Sequence, residues 1–192
     1  MRRVKLQVQV SVDGFMATPD HKMDFLVWNW DDKLKKYVGD FTEAADTMLL
    51  GTVLYQGMAA HWPAVKPDNA EMYAAAQGFN AMKKIVFSKT LAGQKLEWNN
   101  SGLADGDAAS VIRRLKGEPG KDLVVYGGER FVGSLVKENL IDEYHLFVNP
   151  AAIGKGLSIF KGLEGYQHFE LVAATPFECG IVVLQYGSVR RS

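Results

Sequence analysis

Three strand-like runs in this 192-residue sequence end in residues able to hold an anion. Leu123-Val124-Val125-Tyr126 stops at Gly127-Gly128-Glu129-Arg130-Phe131, Thr47-Met48-Leu49-Leu50 stops at Gly51-Thr52, and Lys84-Ile85-Val86-Phe87 runs into Ser88-Lys89. A glycine pair leaves the backbone uncovered and takes dihedrals closed to other residues. Where a helix starts from such a pair, its first amides and the positive end of its dipole face whatever sits above the strand end. That arrangement suits a phosphate or pyrophosphate. A hydroxyl and an ammonium at Ser88 and Lys89 are further phosphate-holding groups. Each signal also has a plainer reading: a tight turn whose glycines only let helix pack on sheet, and a lysine that is merely solvated. A charge at a helix end gains only ~0.3–1 kcal/mol, whereas micromolar binding needs about 8 kcal/mol. One junction alone does not make a site.

The elements that must position these residues follow from periodicity. After the glycine pair, Phe131 and Leu135, and Val132 and Val136, recur at i, i+4, while Glu129, Ser134 and Lys137 stay polar. This is an amphipathic helix, and Asn139 suits its left-handed end. Val4, Leu6, Val8, Val10 and Val12 alternate with Lys5, Gln7, Gln9 and Ser11, a period-two strand with one polar face that ends at the turn Asp13-Gly14. Asp31 or Asp32 caps a helix running to about Ala44, with Leu34, Tyr37, Val38 and Phe41 on one face. Further helices are predicted over Thr52 to Ala60, Asp68 to Met82 and Asp107 to Lys116, with a short strand at Lys95 to Trp98. Asp142 to Pro150 reads as a strand, followed by the glycine-rich Ile153-Gly154-Lys155-Gly156 and a short apolar segment, Leu157 to Phe160. Phe169 to Thr175 and Gly180 to Tyr186 make an antiparallel hairpin around Pro176-Phe177-Glu178. Strands alternating with helices first, and a hairpin last, predict an α/β fold with a mixed, mostly parallel sheet. In such a sheet the ligand groups sit at the carboxyl ends of the strands. Ile181, Val183 and Val182, Leu184 leave both faces of the hairpin apolar, so one face needs cover from another element or another chain.

The whole chain bounds the function. Its length suits one domain with a single core, spanning residues 1–192 with no linker. Lys+Arg and Asp+Glu balance at 22 each, which gives no electrostatic support to nucleic-acid or membrane-surface binding. No apolar stretch reaches transmembrane length, and the alternating start lacks the apolar core of a signal peptide, so a cytoplasmic location is expected. Cys179 is the only cysteine and lies among apolar residues, where an inert buried thiol is the simpler reading. His21, His61, His145 and His168 show no ligand spacing, and no metal is expected. Residues 15–30 mix Phe15, Met16, Phe25, Trp28 and Trp30 with Pro19 and Asp24. Such a loop walls a ligand pocket or lids the core.

Several phrases match one family in order. Ser11-Val12-Asp13-Gly14-Phe15-Met16-Ala17, Val86-Phe87-Ser88-Lys89-Thr90-Leu91, Val125-Tyr126-Gly127-Gly128, Leu140-Ile141-Asp142-Glu143-Tyr144-His145-Leu146 and Pro150 with Gly154-Lys155-Gly156 resemble the dihydrofolate reductase-like superfamily. Within it the chain is most similar to the C-terminal reductase domain of the riboflavin-biosynthesis deaminase-reductase, as a stand-alone bacterial member. The resemblance implies a three-layer α/β/α fold, NADPH as hydride donor and a homodimer. It places Gly127, Gly128, Glu129, Arg130 and Phe131 at the pyrophosphate, with Ser88 and Lys89 at the adenosine 2′-phosphate end. Ala17 falls by the nicotinamide, Ile153 and Gly154 near the cofactor, and Asp24, Phe25 and Trp28 in the substrate loop. The sequence departs from the family where Gly51-Thr52 replaces a frequent Gly-Arg, so that NADH becomes the alternative cofactor. One cysteine also cannot build the zinc site of a deaminase half.

Two function classes follow. The first is an NADPH-dependent reductase of a small heterocyclic substrate (pterin-, pyrimidine- or riboflavin-precursor-like), with Asp24 as proton donor or substrate anchor. A carboxyl in an apolar pocket can have a raised pKa and act as an acid. The second is a nucleotide- or pterin-binding protein that keeps the fold without catalysis, motivated by the missing Arg and the lack of a second catalytic carboxylate.

Overall fold

In the computed structural model, which describes residues 1–189, every helix and strand leads toward one sheet. In chain order the elements are β1 (Val4–Ser11), α1 (Asp32–Glu43), β2 (Ala45–Gly51), α2 (Thr52–His61), α3 (Ala70–Ala81), β3 (Lys83–Phe87), β4 (Ser101–Leu103), α4 (Ala108–Gly117), β5 (Asp122–Tyr126), α5 (Glu129–Lys137), β6 (Glu143–Asn149), β7 (Phe169–Pro176) and β8 (Val182–Ser188). The eight strands lie in the order β4-β3-β2-β5-β1-β6-β8-β7. β1 to β6 run parallel, β8 pairs antiparallel with β6, and β7 closes the sheet antiparallel to β8. The mostly parallel sheet with a terminal hairpin is the architecture that the alternating pattern predicts.

Helices cover both faces, giving the three-layer α/β/α arrangement. On one face α4 and α5 bury Ile112, Leu115, Val132 and Leu135 against Leu6, Leu49 and Val125. On the other, Phe41 of α1, Tyr55 of α2 and Phe79 of α3 pack on Met48, Leu50, Val86 and Val124. Leu34 of α1 continues that layer over Phe147, Ile181 and Val183. Each such side chain, once fully buried, contributes roughly 1.5–3 kcal/mol of transfer free energy.

The polar face predicted for β1 is not solvated. Lys5 and Gln7 are each 9% exposed and Ser11 is 1% exposed, because β1 lies between β5 and β6 with helices on both faces. Lys5 Nζ reaches Asp122 at 2.9 Å and the Ser11 hydroxyl donates to Asp13 Oδ1 at 2.6 Å, whereas Gln7 Oε1 is buried with no hydrogen-bond partner among the described residues; farther along the strand Gln9 Oε1 accepts from Asn149 Nδ2 at 2.8 Å. Beside them, Tyr37 Oη lies 2.5 Å from His145 Nδ1, and His145 Nε2 lies 2.6 Å from Glu143 Oε1. The imidazole thus bridges the phenol and the carboxylate, one ring nitrogen to each. Burial, then the Glu143 charge, push the Tyr37 phenol up to about 12.

Two other expectations change, at Lys95 to Trp98 and at Cys179. Lys95 to Trp98 is not a strand; the edge strand is β4, after a reversal at Asn100 with φ +60°. Trp98 turns inward instead, its indole donating to Asn80 Oδ1 at 2.7 Å. The segment Leu157 to Phe160 makes only one bridge, between Leu157 and Ala17. Cys179 is half-buried rather than buried. In the hairpin, Ile181 and Val183 are covered by α1, and Val182 and Leu184 are half-buried within the chain. The large apolar residues left exposed there are Leu171 and Val172 of β7, each 57% exposed. No helix among the described residues is long and apolar enough to cross a membrane.

Lys84 is a fully buried charge on this side of the sheet. Its Nζ donates to Asn80 O and Asn99 O at 2.9 Å each and lies 4.2 Å from the centre of the Trp98 ring. No carboxylate among the described residues pairs with it, and burial pulls its pKa down to about 8. A lysine whose folded pKa lies below its unfolded value of about 10.4 destabilises the fold fully below the folded pKa. The penalty fades as pH rises toward the unfolded value. Between about pH 8 and 10.5 the wild type is therefore expected to gain roughly 1–3 kcal/mol relative to Lys84→Met. Urea denaturation of both proteins at pH 7.5 and 10 checks this; parallel pH profiles would remove the assignment.

Candidate functional site

The residues singled out for phosphate chemistry all lie at the carboxyl edge of the parallel strands. Local sequence explains each exit. α1, α3 and α4 start behind Asp31, Asn69 and Asp107, whose side chains accept from Leu34, Met72 and Ser110 amides at 2.9–3.0 Å. α2 and α5 start directly from strand ends at Gly51 and Gly128, and neither has a side-chain cap. A helix leaves its first amides without intrahelical partners, so these two present theirs outward at the edge.

Gly127 and Gly128 have φ of +32° and +87°, in the left-handed range that glycine tolerates best. A Cβ at Gly128 would meet nothing within 4 Å, so the space above the junction is open. Gly127 N–H donates to Gln7 O of β1 at 3.3 Å, which fixes the junction against the central strand. Arg130, in the first turn of α5, is exposed and without an ion-pair partner among the described residues. Open space, outward amides and a free cation fit a pyrophosphate.

Contacts link the junctions along the edge in sheet order. Ser88, after β3, accepts from the Thr52 hydroxyl of α2 at 2.8 Å and from Leu91 N–H at 3.1 Å. Phe131 of α5 packs over Gly51, where a Cβ would lie 2.9 Å from Phe131 Cβ, and its ring stacks on Phe87 with centroids 5.0 Å apart. Met16 Cε would lie 3.8 Å from a Cβ at Gly127. Ala17 pairs with Leu157: Leu157 N–H donates to Ala17 O at 2.8 Å and Met16 N–H to Leu157 O at 2.9 Å. From β3 to β6 this edge spans four strand intervals, about 19 Å, room for an elongated ligand.

Individual expectations fare differently. Ala17, Gly51, Thr52, Ser88, Lys89, Gly127, Gly128, Glu129, Arg130, Phe131, Ile153 and Gly154 are brought to this one edge. Gly51 and Phe131, however, are engaged with each other, and the amides of Ile153 and Gly154 already donate to Asp13. Asp24 does not stand in an apolar pocket; it is exposed on the loop after β1. Phe25 is half-buried, and Trp28 is 66% exposed, stacked on Trp30 at 6.1 Å. The loop hangs on a residue outside the sequence expectations. Asn149, fully buried at the end of β6, accepts from Val27 N–H at 2.8 Å and turns its amide nitrogen to Gln9 Oε1 and Phe147 O. A polar residue closing an apolar strand before Pro150 is the signal that points to it. A recess of about 570 Å³, lined by Asp46, Lys83, Lys84 and Ser101, lies at the opposite edge, away from all of these residues.

The model of the RibD C-terminal domain matches residues 2–183. Protein YyaP of Bacillus subtilis (strain 168) is 25% identical over 185 residues, covering 96% of this chain and 94% of its own length. A solved structure from Shewanella sp. PV-4, ascribed to riboflavin biosynthesis, superposes with a TM-score of 0.72 at 19% identity, covering 99% of this chain and all of that one. The diaminohydroxyphosphoribosylaminopyrimidine deaminase/5-amino-6-(5-phosphoribosylamino)uracil reductase of Thermotoga maritima superposes with a TM-score of 0.66 at 16% identity, over 98% of this chain and 57% of its own.

Gly51 separates packing from ligand contact. Its Cβ position is filled by Phe131, so Gly51→Ala is expected to destabilise the protein by about 1–3 kcal/mol through overpacking. Chemical denaturation measures it; an unchanged midpoint would mean that α5 moves away freely and that Gly51 is not a packing residue.

Proposed function

Matched over residues 2–183, the chain belongs to the RibD C-terminal domain family, and from that premise we propose a reductase that uses a nicotinamide nucleotide. NADPH is the proposed donor, and a small heterocycle of the pterin, pyrimidine or riboflavin-precursor type is the acceptor. The observation that carries this reading is the pair of uncapped helices, α2 and α5, opening side by side at the carboxyl edge. Two sets of outward amides suit a ligand with two separated anionic groups better than a single phosphate.

When bound, the cofactor supplies the hydride; the chain supplies position and exclusion of water. In this reading the Gly128 junction and the first amides of α5 receive the pyrophosphate, and Arg130 adds a charge-assisted contact. The hydroxyls of Thr52 and Ser88, with exposed Lys89, meet the adenosine end. Ala17 floors the nicotinamide side, and Phe25 and Trp28 face the substrate from the loop that Asn149 holds. Asp24 serves as proton donor only if that loop folds over the ligand, since it stands in solvent here. That exposure favours, as a second reading, a protein that binds nucleotide without catalysis. NADPH binding with no NADPH oxidation across pterins, pyrimidines and flavins would select it.

The homodimer is also proposed. β7 is an edge strand of eight residues with Leu171 and Val172 exposed, and a long apolar edge invites a second strand. Sedimentation at micromolar concentration is expected to show a dimer that Val172→Lys weakens. A wild-type monomer would end the proposal.

Calorimetric titration with NADPH and NADH tests the site. Gly128→Val places a branched side chain at φ +87° in the open space above the junction. It is expected to weaken NADPH at least tenfold, about 1.4 kcal/mol. Thr52→Arg is expected to raise the preference for NADPH over NADH by adding a guanidinium fork. Unchanged NADPH affinity in a folded Gly128→Val protein would sink the assignment.

A further inference from the structure

Asp13 is exposed, yet its carboxylate is fully engaged. Oδ1 accepts from the Ser11 hydroxyl at 2.6 Å, Oδ2 accepts from Gly154 N–H at 2.7 Å, and Ile153 N–H lies 3.2 Å from both oxygens. The Ser11 oxygen accepts in turn from Phe15 N–H at 3.0 Å. Successive amides around a left-handed residue form an anion-binding concavity, and Gly154 has φ +74°. The anion in this concavity is the chain's own. The Ser11 hydroxyl, with the Gly154 and Ile153 amides, holds the carboxyl below its ordinary pKa, so the clamp is ionised at neutral pH.

The clamp joins two loops that have no helix or strand of their own, residues 12–18 after β1 and residues 150–157 after β6. Farther along, the same loops touch backbone to backbone at the Ala17–Leu157 bridge, and a Cβ on Gly156 would fall 2.3 Å from Ala17 O. So close a fit tolerates little displacement, and Asp13 anchors its outer end.

We propose that Asp13 is a positioning residue: by fixing the Ile153–Gly154 amides to the loop that carries Met16 and Ala17, it shapes the wall that receives the nicotinamide half of the cofactor. The inference rests on the reading of this edge as a nicotinamide-nucleotide site. It also divides the edge. The Ile153 and Gly154 amides are spent on Asp13, and a carboxylate beside them repels phosphate, so pyrophosphate recognition falls to Gly128 and α5.

The test compares a whole ligand with its adenine half. NADPH and 2′-phospho-ADP-ribose, which lacks the nicotinamide, are titrated into wild type, Asp13→Ala and Asp13→Asn. Asp13→Ala is expected to weaken NADPH at least fivefold while 2′-phospho-ADP-ribose changes less than twofold. Asp13→Asn, which keeps one acceptor for Gly154 N–H, is expected to fall between and serves if the alanine variant does not fold. A merely structural aspartate would weaken both ligands together, and that outcome, or no change in either, overturns the proposal. Wild type that binds neither ligand overturns the nucleotide reading itself, and the inference with it.

Discussion

β1 is paired in parallel with β5 on one side and β6 on the other, and the rest of the architecture depends on that double pairing. Parallel pairing forces every crossover to start at one edge of the sheet and return at the other. The exits after β1, β2, β3, β5 and β6 therefore gather at the carboxyl edge although they are far apart in sequence. The amino edge is closed by the chain's own charges: Arg2 with Asp46, Arg3 with Glu143 at 2.8 Å, Lys5 with Asp122 at 2.9 Å and Lys116 with Asp142 at 2.6 Å. One edge is satisfied internally, and the other presents glycines and bare amides.

That asymmetry is visible in how each helix begins. A side-chain cap stabilises a helix start by about 1 kcal/mol, and α1, α3 and α4 have one. α2 and α5 forgo it at the two places where glycine ends a strand. Gly51 and Gly128 do so for different reasons: Phe131 fills the space over Gly51, whereas nothing lies over Gly128. A glycine that serves packing and a glycine that leaves room thus stand at neighbouring strand ends. Their contact through Phe131 ties the open junction to the core.

The second feature that shapes the site is the polar layer beneath α1. Lys5, Glu143, His145 and Asn149 are buried, and each finds a partner in a neighbouring strand, helix or loop. Burial raises the pKa of Glu143, but His145, Lys5 and Arg3 outweigh it and keep the carboxylate ionised. A satisfied buried network favours one arrangement of its members. Through Asn149 that rigidity reaches the loop bearing Phe25 and Trp28, as Asp13 extends it to the loop bearing Ala17.

Local pattern was enough for most elements. The i, i+4 spacing of Phe131 to Val136, the alternation of Val4 to Val10 and the glycines at 51, 127 and 128 specify helix, strand and junction within a few residues of sequence. Order of phrases along the chain was enough for the family. Burial was not legible, because alternation reports which face a residue takes but not what covers that face. Only the position of β1 inside the sheet buries Lys5, Gln7 and Ser11. Asp24 shows the same limit from the other side, since aromatic neighbours in sequence did not place it in an apolar pocket. Asp13 and Asn149 act through partners more than 120 positions away in the chain, Gly154 and Val27. No local window contains such pairs; the parallel crossovers that bring β1 beside β6 create them.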